Sequence, residues 1–170
     1  MPRLTAVSYI VLGLIENAGE ATPYQLKAFA ARSVGNFWSI QHAQLYTECE
    51  RLAKAGLLDE QREEGGRRRR TYRLTNAGRE ALDAWRSEPA TELGELRSPG
   101  LLQLFFGAEP GPLAEAQIAA HREKLAEYEA LHGSAKAWLP EGQRLALECG
   151  IAHERVWLKF WRAVGDNPGA

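Results

Sequence analysis

Two consecutive glycines, Gly65 and Gly66, separate two short runs, Leu57 to Glu63 and Arg68 to Leu74, and this arrangement does more than any other to limit what the chain can fold into. Paired glycines supply the positive φ that a tight hairpin tip requires. Tyr72 and Leu74 alternate with Arg73, as a strand with one buried and one open face demands. Three helical patterns lead up to this hairpin. Leu4, Val7, Val11 and Leu14 recur at three- and four-residue steps, with Ile10 and Ile15 widening the stripe, so residues 4 to 17 read as a helix that Gly19 ends. Thr22 and Pro23 are an N-cap followed by proline at the first helical position, and Leu26, Phe29 and Ala30 give a second helix its apolar side. Gly35 and Asn36 interrupt the stretch from Ser33 to Trp38. Leu45, Cys49 and Leu52 then mark a third helix running to about Ala55, stopped by Gly56. Helix, helix, helix and hairpin, in that order, make a winged helix-turn-helix.

Thr75 caps a fourth helix, which carries Ala77, Ala81, Leu82 and Trp85 and closes before Pro89. From there the character changes. Leu93, Leu96, Leu101, Leu102, Leu104, Phe105 and Phe106 form a short, very apolar segment that Pro110 and Pro112 end, after which residues 113 to 132 and 141 to 164 read as two longer helices. The expected fold is mainly α, with a small two-stranded β-wing in a winged helix-turn-helix domain over residues 1–88 and a C-terminal α-helical dimerisation domain over 89–170.

The formal net charge is -1, but it conceals a separation along the chain. Residues 24 to 79 carry 11 Lys and Arg against 6 Asp and Glu, a surplus of five positive charges; residues 80 to 170 carry 9 against 14, a deficit of five. A basic first half and an acidic second half suit a protein that meets phosphates with one region and protein or solvent with the other. The two cysteines, Cys49 and Cys149, have no CxxC spacing and no export signal ahead of them, so a reducing cytoplasm is the expected location. No apolar run approaches the roughly 18 residues that span a bilayer.

The most pointed cluster is Arg67, Arg68, Arg69 and Arg70, directly after the glycine pair. A run of charge is usually a solvated face. On a thin hairpin beside a helix-turn-helix, guanidinium forks match phosphate oxygens, and the phosphate-binding reading is favoured. The second helix of the pair offers its N-terminal residues to base edges in a major groove; here these are Gln41, His42, Gln44 and Tyr46. Glutamine matches an adenine edge, histidine the N7 or O6 acceptors, and a tyrosine hydroxyl a phosphate. Lys27, Arg51 and Lys54 are candidates for backbone contacts, while Leu45, Cys49 and Leu52 read as core.

These residues resemble a known family. Tyr9 to Ile15, Tyr24 to Lys27, Phe37-Trp38, Gln44 to Tyr46, Arg51-Leu52, Gly56-Leu57, Arg69 to Thr75 and Ala77 to Arg79 with Leu82 and Trp85 look like the PadR-type transcriptional regulators. Leu102 to Gly107 and the tryptophan-rich last helix are similar to that family's C-terminal half. The resemblance implies a winged helix with a helical dimerisation region, repressor action and, in some members, a response to phenolic or drug-like compounds. The chain departs from the family at Thr47, where proline is common after the tyrosine, and at Gln41, where serine is common at the cap. Ser39 is an alternative cap two residues earlier.

Apolar residues on the last helix cover more than the roughly 100° that a surface helix buries. Leu147, Ile151, Leu158 and Trp161 make one stripe; Cys149, His153, Val156, Trp157, Phe160 and Val164 make its neighbour. A homodimer through the C-terminal helices is therefore expected, addressing palindromic half-sites of double-stranded operator DNA about one helical turn apart or a multiple of it. Trp157 and Trp161 are candidates for lining a pocket for a small aromatic effector, although most tryptophans are core.

An enzyme needs convergent reactive groups, and His42, His121, His132 and His153 fall without a partnered nucleophile or acid pair. Cys149 and His153 stand four residues apart but on an apolar stripe, so neither metal nor cofactor is expected. Glu63 and Glu64 sit at a hairpin tip open to water. The competing reading is a winged-helix protein-interaction module without DNA affinity, which would have little use for four consecutive arginines.

Overall fold

The structure, a computed structural model, describes residues 3–62, 69–135 and 137–166. The hairpin tip with Gly65, Gly66, Arg67 and Arg68 lies outside the described residues, and so do Glu63 and Glu64. The chain divides into two compact units, Met1–Glu92 and Leu93–Ala170.

In the first unit, helix α1 (Ala6–Ala18) follows Thr5, whose N–H donates to Ser8 Oγ at 2.8 Å, and ends at Gly19 with φ +74°. Its buried face is Ser8, Val11, Leu12 and Ile15, rotated from the stripe of Leu4, Val7, Val11 and Leu14 that spacing alone predicts. The rotation has a polar cause. Ser8 is fully buried because its hydroxyl serves both Thr5 and Arg51, and a buried hydroxyl is tolerated when bonded. Leu4 and Leu14 pack at the edge of the same core.

Gly19 turns the chain into β1 (Glu20–Ala21), a strand the sequence did not announce because two residues carry no period. Helix α2 (Pro23–Ala31) starts with a reciprocal cap, Gln25 N–H to Thr22 Oγ1 at 3.3 Å and Thr22 N–H to Gln25 Oε1 at 2.9 Å. A 3₁₀ turn at Val34–Asn36 leads to α3 (His42–Lys54). Strands β2 (Leu58–Arg62) and β3 (Arg70–Leu74) follow, and the sheet has three strands in the order β1-β3-β2, all antiparallel, where a two-stranded wing was expected. Glu20 lies opposite Arg73 and Ala21 opposite Tyr72, while Glu60 lies opposite Tyr72 from the other side.

The core of this unit gathers Val11, Leu12, Ile15, Leu26, Leu45, Cys49, Leu52, Tyr72, Leu74 and Leu82 from the helices and the sheet. Helix α4 (Asn76–Ser87) is capped by Thr75, whose Oγ1 accepts from Gly78 N–H at 3.0 Å, and the cap is fastened to the end of α3 by two bonds, Thr75 Oγ1–H to the Gly56 carbonyl at 2.8 Å and Thr75 N–H to the Leu57 carbonyl at 3.2 Å. Gly78 is required there. A Cβ at that position would stand 2.1 Å from the Leu57 carbonyl oxygen.

The second unit contains α5 (Pro99–Phe105), α6 (Pro110–Ala135) and α7 (Glu141–Asp166). Pro110 and Pro112 begin α6 instead of preceding it, since first-turn N–H groups have no intrahelical acceptor to lose. Helices α6 and α7 run antiparallel: Ala114 meets Gly165, His121 meets Glu154, Tyr128 packs on Gly150, and His132 reaches Glu148. A Cβ at Gly150 would lie 3.1 Å from the Tyr128 ring, which would have to give way by a few tenths of an ångström. Trp161, with no solvent exposure, fits against Gly100 of α5.

Among the described residues no helix is long and apolar enough to cross a membrane, and no group of three or more His, Cys, Asp or Glu is placed to hold a metal ion.

Candidate nucleic-acid interface

The orientation of α3 follows from Leu45, Cys49 and Leu52, all buried on one side. That anchoring exposes Gln41, His42, Gln44 and Tyr46 at the N-terminal end of the helix, which is where a recognition helix addresses base edges. It also exposes Ala43 and Thr47 at the middle of the outward face, two residues that the sequence reading did not place among the contacts. Burial pushes the Cys49 thiol up to about 12, with the neighbouring Glu48 carboxylate adding to the shift, so it serves here as a small hydrophobe.

The helix is capped by Gln41, not Ser39: Gln41 has extended backbone, φ -75° and ψ 131°, and its N–H donates to Gln44 Oε1 at 3.3 Å. The amide oxygen of Gln44 is thus engaged with the cap in this state. Phe37 and Trp38 precede the helix with 69% and 47% of their surfaces open, and Tyr24 on α2 is 71% open. Lys27 is exposed on α2 and Lys54 at the end of α3.

Arg51 is placed differently from the other candidates. Its Nε donates to Glu48 Oε2 at 2.9 Å and its Nη2 to Ser8 Oγ at 3.0 Å, so the guanidinium joins α3 to α1. The same bond from Arg51 holds the Glu48 carboxyl below the usual carboxylate range.

At the wing, Arg69 and Arg70 are exposed. Arg70 donates to Glu50 of α3 and lies 3.9 Å from Glu60 of β2. Glu60 also accepts from Arg62 at 2.5 Å and from the Tyr72 hydroxyl at 3.1 Å, and the Arg62 bond chiefly keeps its carboxyl low. Burial, helped by the Glu60 charge, pushes the Tyr72 hydroxyl up to about 12, so it stays a donor. Arg73 pairs with Glu20. The strands of the wing therefore carry arginines whose charge is met by carboxylates, and Arg67 and Arg68 of the expected phosphate-binding run fall outside the described residues.

A model of the transcriptional regulator PadR-like family matches residues 11–84, and one of the virulence activator α C-terminal family matches residues 96–165. Over residues 11–84 the chain is thus similar to the PadR-like transcriptional regulators. A curated relative, the negative transcriptional regulator PadR of Bacillus subtilis, is 27% identical over 178 residues, covering 95% of this chain and 96% of that protein. The crystal structure of Bacillus subtilis PadR in complex with operator DNA matches with a TM-score of 0.85 at 19% identity, over 99% of this chain and 100% of that one. The same regulator in complex with p-coumaric acid matches with a TM-score of 0.77 at 20% identity, over 95% and 98% of the two chains. At such identities these structures establish the PadR-like winged-helix fold, and the helices and three-stranded sheet described above are that fold.

The second unit, which the virulence activator α C-terminal model matches, buries most of the stripe expected to pair two chains. Ile151, Leu158 and Trp161 are buried inside their own chain, at 8%, 4% and 0% exposure, and Leu147 is half-buried. The helix α6 covers that stripe. The neighbouring stripe stays open, with Val156 66% and Phe160 37% exposed and Cys149 and His153 also at the surface. Leu102, Phe105 and Phe106 of the α5 segment are more than half exposed as well.

Trp157 and Trp161, the candidate pocket residues, form an aromatic stack with 6.4 Å between centroids and 18° between planes, and Trp157 also stacks on His121 at 5.5 Å. Trp157 Nε1 donates to His153 Nε2 at 2.7 Å. Trp161 is closed off from solvent, and its Nε1 has no hydrogen-bond partner among the described residues.

Proposed function

We propose that this PadR-like regulator is a cytoplasmic homodimer that represses transcription by occupying a palindromic operator in double-stranded DNA. The observation that carries the reading is the exposed leading end of α3, held by a buried opposite face and set beside an arginine-bearing hairpin. Gln41, His42, Gln44 and Tyr46 are its base-reading candidates; Lys27 and Arg67 to Arg70 are its phosphate-contacting candidates. Arg51 belongs to the scaffold more than to the contact surface, since two bonds hold it inward. The negative-regulator name of the Bacillus subtilis relative supports repression.

The open stripe of α7 supports pairing of two chains, because exposed contiguous apolar surface marks an interface. We assign the contact to Val156, Phe160 and Cys149 with the α5 aromatics, and give Ile151, Leu158 and Trp161 the supporting role of fixing α7 against α6. Sedimentation equilibrium is expected to show a dimer that Val156→Asp disperses. Binding of promoter duplexes is expected to fall steeply with salt, as displacement of counterions requires. Weak, salt-independent binding of duplexes would favour the protein-interaction module instead.

A small aromatic effector completes the reading. Trp161 Nε1 is a buried donor, and leaving such a group unsatisfied costs about 1–3 kcal/mol, which an acceptor oxygen on a ligand beside Trp157 and Trp161 offsets. Titration with p-coumaric acid and other phenolic acids is expected to quench tryptophan fluorescence and lower operator affinity; unchanged fluorescence across the panel removes the effector from the scheme.

A further inference from the structure

Along the leading turns of α3, ahead of Glu50 and Lys54, the middle of the outward face carries no charged residue. Taking 100° per residue, Ala43 and Thr47 lie roughly opposite the mean direction of Leu45, Cys49 and Leu52, with Gln44 to one side and His42 and Tyr46 to the other. Both are exposed. Thr47 Oγ1 donates to the Ala43 carbonyl oxygen at 3.1 Å, so the proton of its hydroxyl is spent within the helix. With no proton left to donate, the side chain offers a base edge its methyl group and an oxygen that can only accept, and one turn earlier stands the Ala43 methyl.

Resting on the DNA-binding reading above, we propose that Ala43 and Thr47 form an apolar reading strip for the 5-methyl group of a thymine in the major groove. The major-groove edge of an A·T pair is the one that presents a methyl, and alanine and threonine methyls are suited to it by size and by lacking a polar atom that would need a partner. A polar residue at position 47 would demand a donor or acceptor from the base; this one has satisfied its own. The flanking arginines and lysines supply the complementary charge for the phosphates on either side, so the occupant of this strip is a duplex.

The test uses the full chain and its own choice of ligand. Duplexes are enriched from a random pool, and affinities are measured by fluorescence anisotropy for the winner and for versions in which each thymine in turn becomes deoxyuridine, which deletes only the methyl. In the parent protein one position per half-site is expected to lose about three- to tenfold in affinity, the scale of one buried methyl. Thr47→Ser, which keeps the hydroxyl and its bond but lacks the methyl, is expected to bind the thymine and uridine duplexes equally. Thr47→Val, which keeps a methyl and lacks the hydroxyl, is expected to retain the discrimination. The proposal is overturned if no uridine position matters to the parent protein, or if Thr47→Ser discriminates as strongly as the parent. Failure to enrich any duplex, even in dilute buffer, overturns the DNA-binding reading and this proposal with it, and is distinguished by the absence of binding to any sequence.

Discussion

Arg70, on the central strand of the sheet, donates to Glu50, on the outward side of α3, and so links the root of the wing to the helix proposed to read bases. Both side chains are nearly half exposed, and an exposed pair of this kind adds little to folding. Its effect on a polyanion is larger, because it sets a carboxylate against a guanidinium that a phosphate would otherwise use. Glu50→Gln is therefore expected to leave the melting temperature nearly unchanged, tighten duplex binding several-fold at low salt, and steepen the salt dependence by about one unit of slope. Anisotropy titrations at several salt concentrations check this. Weaker binding by Glu50→Gln would mean that the carboxylate aims Arg70 and does not compete for it.

Gly78 sits where helix α4 meets the end of α3 with no room between. Because an added Cβ would approach the Leu57 carbonyl to 2.1 Å, and that carbonyl already accepts from Thr75, Gly78→Ala must push two backbone segments apart. The gain in helix propensity, about 1 kcal/mol, is smaller than the overpacking cost of about 1–3 kcal/mol or more. Thermal unfolding of the variant is expected several degrees below the parent; an unchanged or higher midpoint would contradict the close approach.

The Glu48 carboxyl is held low in the folded state, first by the Arg51 bond, and its side chain is only 12% exposed. A group whose folded pKa is depressed adds stability above its unfolded value, near 4.5, and loses it as pH falls through the folded value. Stability should thus decline on acidification below about pH 5, and Glu48→Gln should decline less over the same range, by on the order of 1 kcal/mol. Urea unfolding at a series of pH values measures it. Parallel profiles for the two proteins would show that the Arg51 bond does not discriminate between the charged and neutral carboxyl.

Cys49 is fully buried, with its thiol pushed up to about 12. In a Cys149→Ser background a thiol reagent at neutral pH is expected to leave the folded protein unlabelled and to modify one thiol after unfolding, since the thiolate is the reactive species. Rapid labelling of the folded variant would place Cys49 at the surface and α3 in a different phase.

Much of this arrangement could be read from residue order. The glycine pair, the Thr22-Pro23 start and the Leu45, Cys49, Leu52 spacing locate the hairpin, α2 and α3, because each reports a local steric or periodic requirement. What the sequence hid was set by partners far along the chain. Ser8 looks like a surface residue of α1 until Arg51, 43 positions away, gives its hydroxyl a reason to be inside. Two-residue β1 has no pattern of its own and exists through β3. Of the two apolar stripes on α7, periodicity cannot say which one α6 takes, and α6 takes the one containing Trp161, through Ala114, Tyr128 and the close approaches at Gly150 and Gly165. Thr47 stands out in the sequence only as a departure from the family, because a threonine in a helix reveals no contact role until its hydroxyl is seen to be occupied.

Strand β1 touches β3 only beside Tyr72 and Arg73, at the end nearest the helices, while β2 accompanies β3 along its full length to Arg70. The ribbon is consequently gripped from both flanks at its root and from one flank farther out. Among the described residues the Arg62 and Arg70 pairing, held from one flank, is therefore expected to exchange its amide hydrogens sooner than Tyr72 and Arg73, which are clasped from both.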